Sequence, residues 1–355
     1  MERMKPLKTA VIGLGRIGWS YHCPQLAKHE GYALTAVMDR SPERLAEAEQ
    51  TFGVRGYQDF DRLLESEKPD LAVIASPTIF HKEQAIRAME RGVDVLLEKP
   101  MAGSLEEVDE ILEAMRKHGR RLMVFQPHRT YAEFLAAKRI VDGGKLGRIF
   151  MMKRASSGYV RRNDWQSMKK YGGGMLNNYG AHFIDQLLCL AGSEAKRVAC
   201  GMKNIATLGD ADDVVKLVIE TENDMTLDLD INMAAAVPLP PWTILGQYGG
   251  ANLEYTEQGA RFVVRYVKPE ELPDLSVHPE LAAPGRTYDN GDRLVWHEES
   301  VRVDEFQPLN FYDQCWDYFA RGGPSFVAVE QTREVMRIIE ACREQNASVE
   351  SPLPV

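Results

Sequence analysis

The segment that most constrains this chain is Gly13-Leu14-Gly15-Arg16-Ile17-Gly18, a G-x-G-x-x-G placed directly after the apolar run Thr9-Ala10-Val11-Ile12. A short apolar run ending on glycines reads as a buried parallel strand, with a helix to follow. Alone the glycine pattern is weak; between a strand and a helix it reads as the turn that cradles a dinucleotide pyrophosphate. Gly13 allows the tight turn, Gly15 lets the backbone approach the phosphates, and Gly18 permits close helix–strand packing, while free N–H groups of the helix N-terminus face the anion. The second strand ends on Asp39, about 20 residues on, where a carboxylate accepts hydrogen bonds from the adenosine ribose. Asp39 favours NAD, because a carboxylate repels a 2′-phosphate; Arg40 beside it keeps NADP open, since a guanidinium can stack on adenine or tolerate phosphate.

Ala33 to Met38, Leu71 to Ala75, Val93 to Leu97 and Arg121 to Phe125 are further apolar runs, separated by helical stretches. Ser41 with Pro42 suits a helix start, and Ser104 with Glu107 forms a capping-box pattern ahead of Val108, Ile111, Leu112 and Met115, with Gly119 at the far end. Repeated strand–helix–strand order implies right-handed crossovers and a doubly wound parallel sheet of the Rossmann type. From about Gln126 the pattern changes. Ala132 to Val141 reads as a helix, and longer alternating strands begin at Gly147-Arg148-Ile149. Met225 to Met233 is the clearest, with Met225, Leu227, Leu229, Ile231 and Met233 on one face and Thr226, Asp228, Asp230 and Asn232 on the other. A strict period of two implies an antiparallel sheet with one buried face. Asp212 to Glu220, Trp242 to Tyr248 and Ala260 to Val267 are read as its neighbours, Pro238 to Pro241 and Pro273 to Gly291 as loops, and Thr332 to Gln345 as a closing helix. The expected fold is therefore α/β: residues 1–126 form a dinucleotide-binding domain, and residues 127–355 an α+β domain with a large, mostly antiparallel open sheet. The polar face of that sheet is open to three readings: solvent, a partner subunit or a sugar.

A chain of 355 residues, 44% of them hydrophobic, can bury the cores of two domains. Its net charge of −9 argues against a nucleic-acid surface. Cys23, Cys189, Cys200, Cys315 and Cys342 are scattered, odd in number and without a C-x-x-C pair, so neither a zinc site nor a disulfide framework is expected and no metal is assigned. No apolar run approaches the roughly 20 residues of a membrane helix. Glycines and Arg16 interrupt the apolar stretch near the N-terminus, which reads as a strand rather than a leader. The expected location is cytoplasmic.

After the fifth strand comes Glu98-Lys99-Pro100, at the strand end where a doubly wound sheet binds its ligand. On its own such a tripeptide is more often a surface turn. Further on, Gly172-Gly173-Gly174 precedes a helical stretch, Met175 to Leu190, closed by Gly192. On one helix Asn178, His182 and Asp185 would share a face, being spaced i, i+4 and i+7. A lone histidine in such a place is more often a core or capping residue. Taken in order, these features, with Pro77, His81, Gly92 to Pro100 and Lys145-Leu146-Gly147-Arg148-Ile149, resemble the glucose-fructose oxidoreductase, inositol dehydrogenase and MocA family over nearly the whole chain.

The resemblance implies roles by position. Glu98 and Lys99 would hold the nicotinamide ribose, Lys99 also reaching the reacting hydroxyl, with a cis Lys99–Pro100 bond. Ser76, Pro77 and Thr78 would pass over the cofactor, and Arg16, Ile17, Arg40, His81 and Gln126 complete the cofactor set. His182 would be the general acid/base, with Arg129, Tyr159, Arg162 and Trp165 in segments that face the substrate. Asp185 would fix the helix, or supply the charge that raises the histidine pKa. Many relatives carry an aspartate where this chain has Asn178, which can orient a ring or a hydroxyl but supplies no charge. The implied activity is NAD(P)-dependent oxidation or reduction of a secondary alcohol in a sugar, cyclitol, sugar acid or nucleotide sugar. Pairing of subunits through the open sheet would give a homodimer or homotetramer. Two other readings stay in view: a glycosidase that oxidises its sugar transiently on NAD, and a non-enzymatic nucleotide sensor.

Overall fold

The computed structural model describes residues 5–275, 277 and 293–347. Its first sheet holds β1 (Leu7–Ile12), β2 (Tyr32–Met38), β3 (Arg55–Tyr57), β4 (Leu71–Ile74), β5 (Asp94–Leu97) and β6 (Leu122–Val124), all parallel, in the order β3-β2-β1-β4-β5-β6. The chain reverses direction of travel between β1 and β4, and ligands of such sheets sit at the carboxyl ends of the strands beside that reversal. β4 is buried at every position, as a strand covered on both faces must be. The linking helices are α1 (Cys23–Lys28), α2 (Pro42–Phe52), α3 (Phe60–Glu67), α4 (His81–Glu90) and α5 (Leu105–Lys117). The starts read from sequence hold: Ser41 Oγ accepts from Arg44 N, and Ser104 Oγ from Glu107 N. Glu107 returns its carboxylate to Gly103 N rather than to Ser104, so the reciprocal half of the box is displaced by one residue. β3 went unread because three half-exposed residues carry no periodicity.

The second sheet runs β14-β13-β12-β11-β7-β10-β9-β8, from β7 (Ile149–Ser157), β8 (Ala195–Lys203), β9 (Val214–Thr221), β10 (Thr226–Asn232), β11 (Trp242–Gly246), β12 (Gly249–Thr256), β13 (Gly259–Tyr266) and β14 (His297–Arg302). Leu227, Leu229 and Ile231 are fully buried, as the alternation requires. The expectation that β10 is antiparallel to its neighbours holds on one side only. It pairs antiparallel with β9 but parallel with β7. Three helices follow the start of this half or close it: α6 (Ala132–Asp142), α7 (Ala181–Ala191) and α9 (Val329–Gln345), with α7 and α9 packed on its buried face.

α8 (Phe311–Phe319) returns to the first sheet. Phe311, Tyr312 and Cys315 share a buried cluster with Val11, Val73, Met123 and Phe125, and each large side chain buried there contributes about 1.5–3 kcal/mol. The core of the dinucleotide-binding sheet is thus completed from beyond residue 126. The predicted helix from Met175 is also altered: Leu176–Gly180 forms a wider π-type turn, and α-helix begins at Ala181. The loop read over Pro273 to Gly291 falls largely outside the described residues. Among those described, no helix is long and apolar enough to cross a membrane.

Candidate active site

The glycine turn follows β1. Gly13 adopts φ +98°, and a Cβ there would lie 2.7 Å from the Ala75 carbonyl oxygen. A Cβ on Gly18 would come within 1.9 Å of the Gly13 oxygen, whereas the space beside Gly15 is open. The outer glycines are therefore dictated by the protein's own packing and the middle one by what approaches it. Asp39 is anchored at the end of β2, its Oδ2 accepting from Leu14 N at 2.8 Å and its Oδ1 from Ser41 N at 2.9 Å. The carboxylate thus pins the turn and keeps further lone pairs for a ribose diol. Arg40 packs its guanidinium 4.8 Å from the Phe80 ring. These features fit a dinucleotide: the Gly13–Gly18 turn would hold its pyrophosphate and Asp39 its adenosine ribose.

Beyond β4 and β5 the chain is tied together from below. His81 is buried, with Nε2 2.9 Å from the Ser76 oxygen and Nδ1 3.0 Å from the Pro100 oxygen. Burial lowers its pKa. His81, placed with the cofactor set from sequence, joins the Ser76-Pro77-Thr78 segment to the turn after β5. Ser76 itself donates to Gln84 Oε1. Glu98 is held by a relay that sequence reasoning missed. Its Oε1 lies 3.0 Å from His22 Nε2, and His22 Nδ1 lies 2.6 Å from the Tyr312 hydroxyl. Glu98 Oε2 accepts from the Lys99 backbone N–H at 3.1 Å. A carboxylate can only accept here, so His22 donates from Nε2 and takes the Tyr312 proton at Nδ1.

The Lys99–Pro100 bond is cis. Lys99 Nζ donates to the Asn178 backbone oxygen at 2.8 Å and to its Oδ1 at 3.2 Å. Burial brings the Lys99 pKa down to about 8, against the pull of Glu98 and with the help of Arg16. His182 Nδ1 is 2.7 Å from Gln126 Oε1. The Gln126 amide donates to the Ala181 oxygen, so its oxygen faces the ring and Nδ1 carries the proton. Nε2 is left with its lone pair. Burial first, then the Lys99 charge, draws the His182 pKa well below its ordinary value. The ring stacks on His128, centroids 4.0 Å apart and planes at 13°. Leu176–Gly180 is a wider turn, so Asn178 lies outside the regular helix that carries His182 and Asp185. They meet three different partners: Lys99, Gln126 and Arg129.

Gln126 and Arg129 make contacts that the sequence reading did not name. Gln126 orients His182 from below, and His128, unremarked in the sequence, covers the ring. Arg129, expected toward the substrate, is buried in a two-pronged pair with Asp185 (Nε–Oδ2 2.7 Å, Nη2–Oδ1 2.6 Å), while Nη1 donates to the Phe326 oxygen and Gln331 Oε1. Each nitrogen of that guanidinium is hydrogen-bonded within the protein. Tyr159 and Trp165 are exposed, and Arg162 lies 3.8 Å from Asp164; their segment reaches the site through Gln166 Oε1, which accepts from Asn178 Nδ2. A cavity of about 490 Å³ is lined by Thr78, Pro100 and Gly103 together with Gly172, Gly173 and Asn177; Lys99, Asn178 and His182 do not line it. Gln126→Leu is expected to lower kcat on the order of tenfold, the rate equivalent of one hydrogen bond of about 1.4 kcal/mol, with NAD affinity retained. Steady-state rates beside calorimetric NAD binding would read it; an unchanged kcat removes Gln126 from the orienting role.

Comparison with known proteins agrees with this geometry. A model of the oxidoreductase family with an NAD-binding Rossmann fold matches residues 7–126, and a GFO/IDH/MocA C-terminal domain model matches residues 134–252. The chain belongs to this oxidoreductase family. It is 29% identical over 194 residues to the D-glucoside 3-dehydrogenase of Escherichia coli, covering 54% of this chain and 55% of that one. It is 25% identical over 268 residues to the 2,7-anhydro-N-acetylneuraminate hydratase of Mediterraneibacter gnavus, covering 74% and 71%. The crystal structure of an NAD-binding protein from Listeria innocua superposes with a TM-score of 0.79 at 25% identity, over 98% of this chain and 97% of that one. The chain spans about half the length of several curated relatives that it matches.

Proposed function

We propose that this protein is an NAD(P)-dependent dehydrogenase or reductase of a secondary alcohol in a sugar, cyclitol, sugar acid or nucleotide sugar. The observation that carries the reading is the His182 ring, fixed by Gln126 with Nε2 unprotonated, beside an ammonium that Asn178 holds in place. A bound nicotinamide supplies the acceptor or donor of hydride. The protein supplies the proton chemistry: His182 Nε2 takes the hydroxyl proton in oxidation and returns it in reduction, while the Lys99 ammonium stabilises charge gathering on the oxygen. Asn178 tethers Lys99 without a negative charge that would raise the His182 pKa. The D-glucoside 3-dehydrogenase relative supports a carbohydrate alcohol as substrate. The reading includes a cytoplasmic location and a homodimer or homotetramer joined through the polar face of the second sheet, where Lys216 pairs with Asp228 and Asp230.

The test is reduced-nicotinamide absorbance with NAD and, separately, NADP, across sugars, cyclitols, sugar acids, glycosides and nucleotide sugars. Sustained reduction with one class is the expected result. Its pH profile then assigns the roles. If Lys99 works as an ammonium, kcat falls as pH rises through about 8; a limb rising there would make Lys99 the base. A second reading, the glycosidase that oxidises its sugar only transiently, gains from the relative named a hydratase. Glycoside cleavage without accumulation of reduced cofactor would select it.

A further inference from the structure

Within this proposed dehydrogenase site, we infer that the substrate is an anionic sugar whose carboxylate is bound by Arg154. Arg154 stands on β7, on the same strand face as the fully buried Met152. Its guanidinium lies between two aromatic rings, 4.2 Å from the centroid of Phe183 and 4.8 Å from that of Trp242. The Phe183 ring lies 6.0 Å from that of His128, which stacks on His182, so the guanidinium belongs to the same cluster as the acid/base pair.

The in-plane contacts fix the orientation without using all of the fork. Nε donates to Gln186 Oε1 at 3.4 Å, and Nη1 to the oxygens of Ala155 and Pro241 at 3.0 and 2.9 Å. Nη2 has no hydrogen-bond partner among the described residues, and it is not one of the polar atoms sealed from solvent. No carboxylate among the described residues comes within 4.0 Å of Arg154. The acid that acts on it most, Glu133, is engaged by the Tyr255 hydroxyl at 2.6 Å. Burial accordingly brings the Arg154 pKa down to about 10.

The neighbours share the imbalance. Burial, then Arg154 and Lys99, push the His128 pKa down to about 3. Around the reacting position stand two cations and two imidazoles held neutral. Asn178 adds no charge, the Asp185 carboxylate is spent on Arg129, and Glu98 faces His22. A buried cation without a counter-ion is costly unless a ligand provides one, and a planar guanidinium edge matches a carboxylate better than it matches a hydroxyl. Neutral sugars leave that cost standing when they displace water from the site; a uronate or aldonate removes it.

The experiment compares kcat/KM for D-glucuronate and D-galacturonate with that for D-glucose and D-galactose, using NAD and NADP. UDP-glucose tests whether a phosphate can serve instead of the carboxylate. The acids are expected to be favoured about tenfold or more, the scale of one charge-assisted hydrogen bond. Arg154→Lys and Arg154→Met should collapse that preference. A structural role alone would lower the acid and the hexose together and shift the melting temperature. Equal or better turnover of hexoses, or preference for UDP-glucose alone, overturns the carboxylate assignment and leaves the dehydrogenase reading intact. If nothing is turned over, calorimetric binding of D-glucuronate to the NAD-loaded protein decides. Binding lost in Arg154→Met upholds the anion site while the dehydrogenase reading fails; no binding, or binding indifferent to Arg154, overturns it.

Discussion

His182→Ala is expected to lower kcat by about 100-fold or more, the low end of what a positioned acid/base group contributes. The His182 Nε2 lone pair is kept by two independent devices. Gln126 Oε1 holds the proton on Nδ1, and burial with the charge of Lys99 keeps the ring from taking a second one near neutrality. No other imidazole in the cluster can replace it, because His128 is drawn down to about 3. Affinity for NAD should change little, since the glycine turn and Asp39 lie on the first sheet. Lys99→Ala should cost as much, and the double variant little more than either single one, as expected of groups that act together on one proton. Single-turnover rates beside NAD titrations make the measurement. Near-normal turnover of His182→Ala would end its claim to the proton.

What could be read from the sequence was local. The glycine turn, the Ser41 and Ser104 caps and the β10 alternation each lie within a few residues, where backbone geometry dictates side-chain type. The family resemblance added Lys99 and His182 on the strength of ordered motifs. The contacts that give these residues their chemistry join distant parts of the chain. His182 meets Gln126 across 56 positions, Glu98 meets His22 across 76, and His22 meets Tyr312 across 290. No spacing rule reaches that far. The i, i+4, i+7 reading of Asn178, His182 and Asp185 assumed uniform α-helix, and Leu176–Gly180 forms a wider turn instead. β8 and β14 stayed unread for a different reason: one is mostly exposed and the other carries charges, so neither shows an apolar period.

The same long reach explains why Arg129 looked like a ligand contact, and it sets the largest expected loss of stability. Both members of the Arg129–Asp185 pair are almost fully buried, and removing one partner of such a pair costs about 3–5 kcal/mol, because the other is left charged out of water. The two removals should nevertheless differ. Asp185→Asn leaves a guanidinium that cannot lose its proton and must unfold, rearrange or admit water. Arg129→Met leaves a carboxyl that can neutralise itself, and burial already raises the Asp185 pKa with the arginine present. Losing the arginine raises it further. A folded-state pKa above the unfolded one means that the folded chain binds the extra proton, so Arg129→Met recovers stability as pH falls from neutrality toward the ordinary carboxylate range and loses it as pH rises through the folded value. Asp185→Asn has no such remedy at any of these pH values. Thermal melts of both variants from neutrality down to the acid range test this: the gap between them should widen as pH falls, relative to the native chain. Parallel curves would mean that the buried fork is neutralised by some means other than its partner.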